Sequence, residues 1–243
     1  PEHWVKIAGI IEKNFKKYDA FVVLHGSDTL AYTASALSFM LEGLSKPVIL
    51  TGSQLPAGEI RTDARENLIT AIEIAAATDK GKPFVTEVCV YFDYCLFRGN
   101  RTTKFNSAKF EAFQSVNYPP LAEAGVHLLF HSDRMRRPRH RKLKMYHKLE
   151  TAVGVLRIFP GMSREWLHAC LHAPGLKAVV LETFGAGNAP TTDWFISEIS
   201  EAVGRGVIII NVTQCAGGAV DQGRYATSSL LVEAGVVSGH DMT

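Results

Sequence analysis

The apolar positions of this chain fall into two alternating patterns. Continuous runs such as "AFVVLHG" (20–26) and "KPVILTGSQLP" (46–56) have no polar residue on every second position. That pattern predicts parallel strands buried on both faces. "FVTEVCVYFDYCLFRGN" (84–100) predicts two further short strands. Between these lie segments with helical spacing. Residues 2–17 place Trp4, Ile7, Ile10 and Ile11 on one stripe, 29–43 place Leu30, Ala34, Leu37 and Leu41, and 61–77 form a third such segment.

The alternation starts again after residue 150. "AVGVLRIFPG" (152–161), "LKAVVLETFGAGNAP" (176–190) and "GVIIINVTQCAGG" (206–218) read as strands, with helices at 163–172 and 192–204. Strands alternating with helices predict an α/β protein with a mostly parallel sheet. The expected layout is a larger N-terminal domain over 1–126, a basic linker over 127–150 and a smaller α/β C-terminal domain over 151–243.

Composition changes this picture in three places. The net charge of +2 conceals a basic stretch, "HSDRMRRPRHRKLKMYHK" at 131–148, which carries +7 by itself and leaves −5 elsewhere. The four cysteines, Cys89, Cys95, Cys170 and Cys215, form no C-x-x-C pair, which points to a reducing compartment. No apolar run is long enough to span a membrane and no leader pattern opens the chain, so neither a membrane nor a secretory route is expected. Because it opens on Pro1 and closes on "SGHDMT", the chain reads as a fragment of a longer protein, truncated at its start.

In parallel α/β sheets a ligand sits beyond the carboxyl ends of the strands. The residues there are Ser27-Asp28-Thr29, Thr51-Gly52-Ser53-Gln54, Arg98 through Lys104, Gly185 through Asn188, and Thr213-Gln214-Cys215. Hydroxyls, amides, one carboxylate and one lysine suit a small zwitterionic or amide substrate better than a hydrophobic one. Taken alone, Ser27 and Asp28 read first as a helix cap, since both residue types accept orphan backbone N–H groups.

With "HGSDTLAYTASALSFMLEGLSKPVILTGSQLP", "LFRGNRTTK", "ETFGAGNAP" and "INVTQC" in order, the whole chain resembles the L-asparaginase family, nearest to its cytosolic type I members. The resemblance implies hydrolysis of L-asparagine to L-aspartate and ammonia, with no cofactor, by a homodimer or homotetramer in the cytoplasm. It implies a catalytic hydroxyl–Lys–Asp triad of Ser27, Asp28 and Lys104, in which Asp28 also binds the substrate's α-amino group. Ser53, Gln54 and Asn188 are implied as further substrate-binding residues, Asn188 in sites completed across a subunit interface. A hydroxyl needs an adjacent base to act, and a lysine in a desolvated pocket can serve as one.

Two departures stand out. Ser27 occupies a position where the family usually has Thr. The family's primary nucleophile, a Thr in a Thr-Gly-Gly-Thr-Ile segment, and its lid Tyr are expected upstream of these residues, so the fragment is expected to be inactive. Asparagine-activated members carry an Arg where this chain has Glu182, near positions matching Thr103 and Cys215. Glu182 reverses the charge that an effector carboxylate needs, so such activation is not expected.

Other readings are weaker. "GAGNAP" lacks the third glycine of a dinucleotide loop. His168 and His172 have the four-residue spacing of a metal pair, but no third ligand stands out and no metal is expected. The basic stretch offers one aromatic, Tyr146, for base stacking, so nucleic acid is not expected as a partner. The alternatives carried forward are a catalytically silent interaction module of this fold and a subunit of a tRNA-dependent amidotransferase.

Overall fold

The computed structural model describes residues 1–137, 142–223 and 226–242. The chain divides into two compact units, Pro1–Leu149 and Glu150–Thr243. Among the described residues no helix is long and apolar enough to cross a membrane.

The first unit begins with α1 (Glu2–Asn14), β1 (Phe21–Leu24), α2 (Leu30–Met40), β2 (Val48–Thr51) and α3 (Ala64–Ala76). It continues with β3 (Val88–Phe92), β4 (Cys95–Arg98), β5 (Ala122–Ala124) and β6 (Leu128–Phe130). The six strands lie side by side in chain order. β1 to β2 and β2 to β3 are parallel, and the remaining pairs are antiparallel.

Alternation along the strands divides the core into two layers. Val48, Leu50, Val88, Val90 and Phe92 face Leu30, Ala34 and Leu37 of α2 and Ala8 and Ile11 of α1. Ile49, Cys89 and Tyr91 face Ala71 and Ile74 of α3. Both faces of β2 and β3 are therefore covered, as their unbroken apolar runs require. On α1 the expected stripe is narrower: Ile11 is buried, whereas Ile10, one residue away and so about 100° round the helix, is 53% exposed.

The basic stretch expected as a linker is built into this unit. It supplies β6, and Lys144–Met145 pair with Leu41–Glu42 in a two-residue ladder. The buried Glu87 carboxylate accepts from Arg98 at 2.5 and 3.2 Å and from the Arg136 backbone N–H at 2.9 Å. Arg98 also donates to the Arg134 carbonyl and stacks over Tyr118, while the Arg134 guanidinium donates to the Pro120 carbonyl. Of the described arginines in the stretch, Arg134 is thus half-buried against this unit, while Arg136 and Arg137 are exposed. Residues 138–141 of that stretch lie outside the described residues.

The second unit contains β7 (Val153–Arg157), α4 (Arg164–Leu171), β8 (Ala178–Thr183), α5 (Asp193–Gly204), β9 (Ile208–Thr213), α6 (Ala226–Glu233) and β10 (Val237–Ser238). Its four strands are all parallel and lie in chain order. Leu156, Leu181 and Ile209 pack against Leu167 and Leu171 of α4, Phe195 and Ile199 of α5 and Leu231 of α6. α6 was not anticipated from the sequence pattern.

Candidate active site

Ser27 and Asp28 sit where β1 gives way to α2, in a single 3₁₀ turn over Ser27–Thr29. Three side chains fix this turn from behind. His25 Nδ1 lies 2.7 Å from the Gly26 carbonyl oxygen, and Nε2 lies 2.9 Å from the Thr33 hydroxyl. The Trp4 indole N–H donates to that same hydroxyl at 2.9 Å. One assignment gives every group a distinct role. Nδ1–H donates to Gly26, Thr33 donates to Nε2, and Trp4 donates to Thr33. The apolar face of α1 thus helps aim the turn that carries the two candidate catalytic residues.

Lys104 reaches this turn from another part of the unit. The Gly99–Arg101 3₁₀ turn follows β4, and Thr103–Lys104 then pair with Phe113–Gln114. Phe113 is buried and its ring lies 4.8 Å from that of Phe92, so the ladder is anchored in the core. From it the Lys104 ammonium donates to Ser27 Oγ at 2.9 Å and to Asp28 Oδ1 at 2.7 Å. The lysine side chain is 15% exposed and that of Asp28 is 94% exposed, so the carboxylate opens to solvent while the lysine lies beneath it. The hydrogen bond from Lys104, and then its charge, hold the Asp28 carboxyl below the usual carboxylate range.

The turn after β2 lies alongside. His25 N–H donates to the Thr51 carbonyl, tying the two strand ends together. Thr51 is not a surface hydroxyl: it is buried and donates to the Tyr91 carbonyl at 2.8 Å. Ser53 stands on this turn. The Gln54 side-chain amide donates to the Lys109 carbonyl at 2.9 Å, which joins the turn to the loop of the Lys104 hairpin.

Two residues that hold this turn escaped the sequence reading. The Asp63 carboxylate accepts from the backbone N–H groups of Gln54 and Leu55 at 2.9–3.1 Å. The Asn67 side chain donates to the Gly52 carbonyl at 3.0 Å and to Asp63 at 3.1 Å, and accepts from the Asp93 N–H at 3.2 Å. A signal was present. Asn67 belongs to the buried stripe of α3 with Ala71, Ile74 and Ala75. A polar side chain on a buried helix face must find partners.

Asn188 lies in the second unit, where its backbone closes the turn that follows β8 by pairing with Phe184. Thr213 donates to the Gly185 carbonyl at 2.6 Å, and the Asn211 amide donates to Gly187 at 3.3 Å. Glu182, one residue before the end of β8, has Arg157 of the neighbouring strand 3.7 Å away. Its charge thus has a partner within this unit. Cys215 is exposed, and its N–H donates to the Thr213 hydroxyl. Thr103 belongs to the first unit.

The sequences of both units match those of known proteins. The family profile "Asparaginase, N-terminal" matches residues 1–136, and "Glutaminase/Asparaginase C-terminal domain" matches residues 152–243. The chain is 45% identical over 243 residues to L-asparaginase 1 of Escherichia coli strain K12, covering all of this chain and 70% of that protein. It is 47% identical over 245 residues to an L-asparaginase of Dirofilaria immitis, of which it covers 40%. The crystal structure of L-asparaginase I from Vibrio cholerae superposes with a TM-score of 0.90 at 41% identity, covering 99% of this chain and 71% of that one. Fold and similarity define a two-domain α/β protein of the asparaginase type. The chain belongs to the asparaginase family.

Proposed function

We propose that the chain supplies the hydroxyl–lysine–aspartate part of a site that hydrolyses L-asparagine to L-aspartate and ammonia. The observation that carries this reading is the meeting of Lys104 with Ser27 and Asp28 across more than seventy intervening residues. A helix cap alone needs no lysine from a distant hairpin. The exposed Asp28 carboxylate is open to the α-ammonium of an amino acid. When that ammonium takes over the carboxylate, Lys104 turns to Ser27 alone. The pair can then pass a proton from attacking water toward the departing amide nitrogen. A C–O bond forms at the side-chain carbonyl carbon, the C–N bond breaks, and ammonia leaves with that proton.

Ser53 and Gln54 stand on the turn after β2 and are assigned to the substrate, and Asn188 is assigned to a site completed across a subunit interface. The 243 residues contain no Thr-Gly-Gly-Thr-Ile segment, so the primary nucleophile is not assigned to this chain. No cofactor enters the reaction. We read the working protein as a cytoplasmic homodimer or homotetramer.

Ammonia release from L-asparagine tests the proposal. The chain alone is expected to release none. Joined to the Thr-Gly-Gly-Thr-Ile segment of a family member it is expected to release ammonia, and Ser27→Ala is expected to reduce that rate by about 10²–10⁴-fold. A rate indifferent to Ser27→Ala would overturn the assignment.

A further inference from the structure

The second unit carries a cluster unrelated to the site above. α4 carries His168, and His172 caps its C-terminal end one turn on, with ring centroids 3.7 Å apart and planes within 24°. From α5, Glu198 places its carboxylate between them and the core, at 2% exposure. His168 Nδ1 is 2.8 Å from Glu198 Oε2, while Arg164 donates to the other oxygen at 2.9 Å. The third ligand that the sequence did not disclose comes from the neighbouring helix. Donor atoms of His168, His172 and Glu198 all lie within 4.8 Å of one another.

The arrangement of His172 is specific. Its Nδ1 lies 3.0 Å from the His168 carbonyl oxygen, and a carbonyl only accepts, so Nδ1 carries the proton and Nε2 is left with its lone pair. Second-partner hydrogen bonds of this kind orient metal-bound imidazoles. Arg205 Nη1 lies 2.9 Å from Nε2 and 2.9 Å from Glu201 Oε1, and Nε2 itself lies 3.1 Å from that same Glu201 oxygen, so Arg205 donates to both in the tautomer with the proton on Nδ1. A guanidinium has donors only, so one resident cation is shared between an imidazole nitrogen and a carboxylate oxygen.

We propose that His168, His172 and Glu198 form a binding site for a zinc-type divalent cation that ties α4 to α5, with Arg205 filling the cation position in its absence. Imidazole donors select zinc-like ions over magnesium or calcium. Ligand atoms about 2.0–2.2 Å from a tetrahedral zinc sit roughly 3.4 Å apart, so modest side-chain rotations close the present spread. On binding, His168 Nδ1 loses its proton to solvent, Arg205 swings off His172, and Arg164 keeps the second Glu198 oxygen in place.

Calorimetric titration of the 243-residue chain with zinc chloride at pH 7.5 tests this. The expected result is saturable binding that His168→Ala and His172→Ala each weaken by about tenfold or more. The exposed His127 serves as control, and His127→Ala is expected to leave it unchanged. Arg205→Gln is expected to tighten binding by removing the competing cation. The fold of each variant is checked by circular dichroism; His168 is half exposed, so its alanine variant is expected to fold. Absence of saturable binding, or equal affinity in the unsubstituted chain and His168→Ala, would overturn the proposal.

Discussion

Gly52 approaches His25 so closely that a β-carbon on it would stand 2.2 Å from the His25 carbonyl oxygen. That contact locks the turn after β2 against the turn after β1, the one that carries Ser27 and Asp28. Backbone lies on both sides, so neither can rotate away as a side chain would. Gly52→Ala is expected to lower the stability of the chain by about 1–3 kcal/mol, read as a lower urea midpoint. An unchanged midpoint would show that the two turns move apart freely.

Asn67 secures the same turn by hydrogen bonds. Its removal leaves the Gly52 carbonyl and the Asp93 N–H without their side-chain partner beside a helix face where Asn67 itself is 1% exposed. Asn67→Ala is expected to destabilise by about 1–3 kcal/mol. Because the turn carries Ser53 and Gln54, the same variant should raise KM for asparagine in the complemented enzyme. Full stability together with an unchanged KM would refute the positioning role.

Asp28 separates function from stability. Lys104 holds its carboxyl below the ordinary aspartate value. A depressed carboxyl stabilises the fold above its unfolded value and loses that contribution as pH falls through the folded one, here below about 3.8. The group is almost wholly exposed, and exposed pairs contribute little. Asp28→Asn is therefore expected to leave the urea midpoint at pH 7 unchanged while removing activity. A large loss of stability would recast the residue as structural.

Glu198 shows the opposite balance. Burial pushes its carboxyl up, yet hydrogen bonds from His168 and Arg164 together with their charges hold it below 4.5. Both partners are more than half exposed and cover the carboxylate from the solvent side, so the interaction is screened. Its contribution is present above the unfolded value and fades as pH falls through the folded one. Glu198→Gln is expected to cost about 1 kcal/mol near neutrality, with the difference from the unsubstituted chain shrinking below pH 4.5. A difference that widens on acidification would contradict this sign.

The central strands and helices were legible because burial on two faces leaves unbroken apolar runs, as in "VILT" and "VCVYF". α2 was legible from its stripe of Leu30, Ala34 and Leu37. The meeting of Lys104 with Ser27 and Asp28 was legible only through the family resemblance that "HGSDTL" and "RTTK" carry together, since neither motif alone brings a distant lysine to a helix cap. α6, with "ATSSLLVE", was not, because hydroxyl residues and a short apolar segment mimic a loop. Within the basic stretch the Arg134 guanidinium donates to the Pro120 carbonyl and the Arg136 backbone N–H to Glu87, contacts that charge patterning does not disclose. Glu198 lies twenty-six residues beyond His172 in sequence, and only the packing of α4 on α5 makes it a neighbour.

Ammonia release by the complemented chain carrying Lys104→Met tests the central claim most directly. Methionine keeps most of the length and the apolar stem of lysine but can neither donate to Ser27 and Asp28 nor carry a proton. The account predicts loss of turnover by about 10²-fold or more, with the urea midpoint nearly unchanged. Turnover close to that of the unsubstituted protein would contradict it.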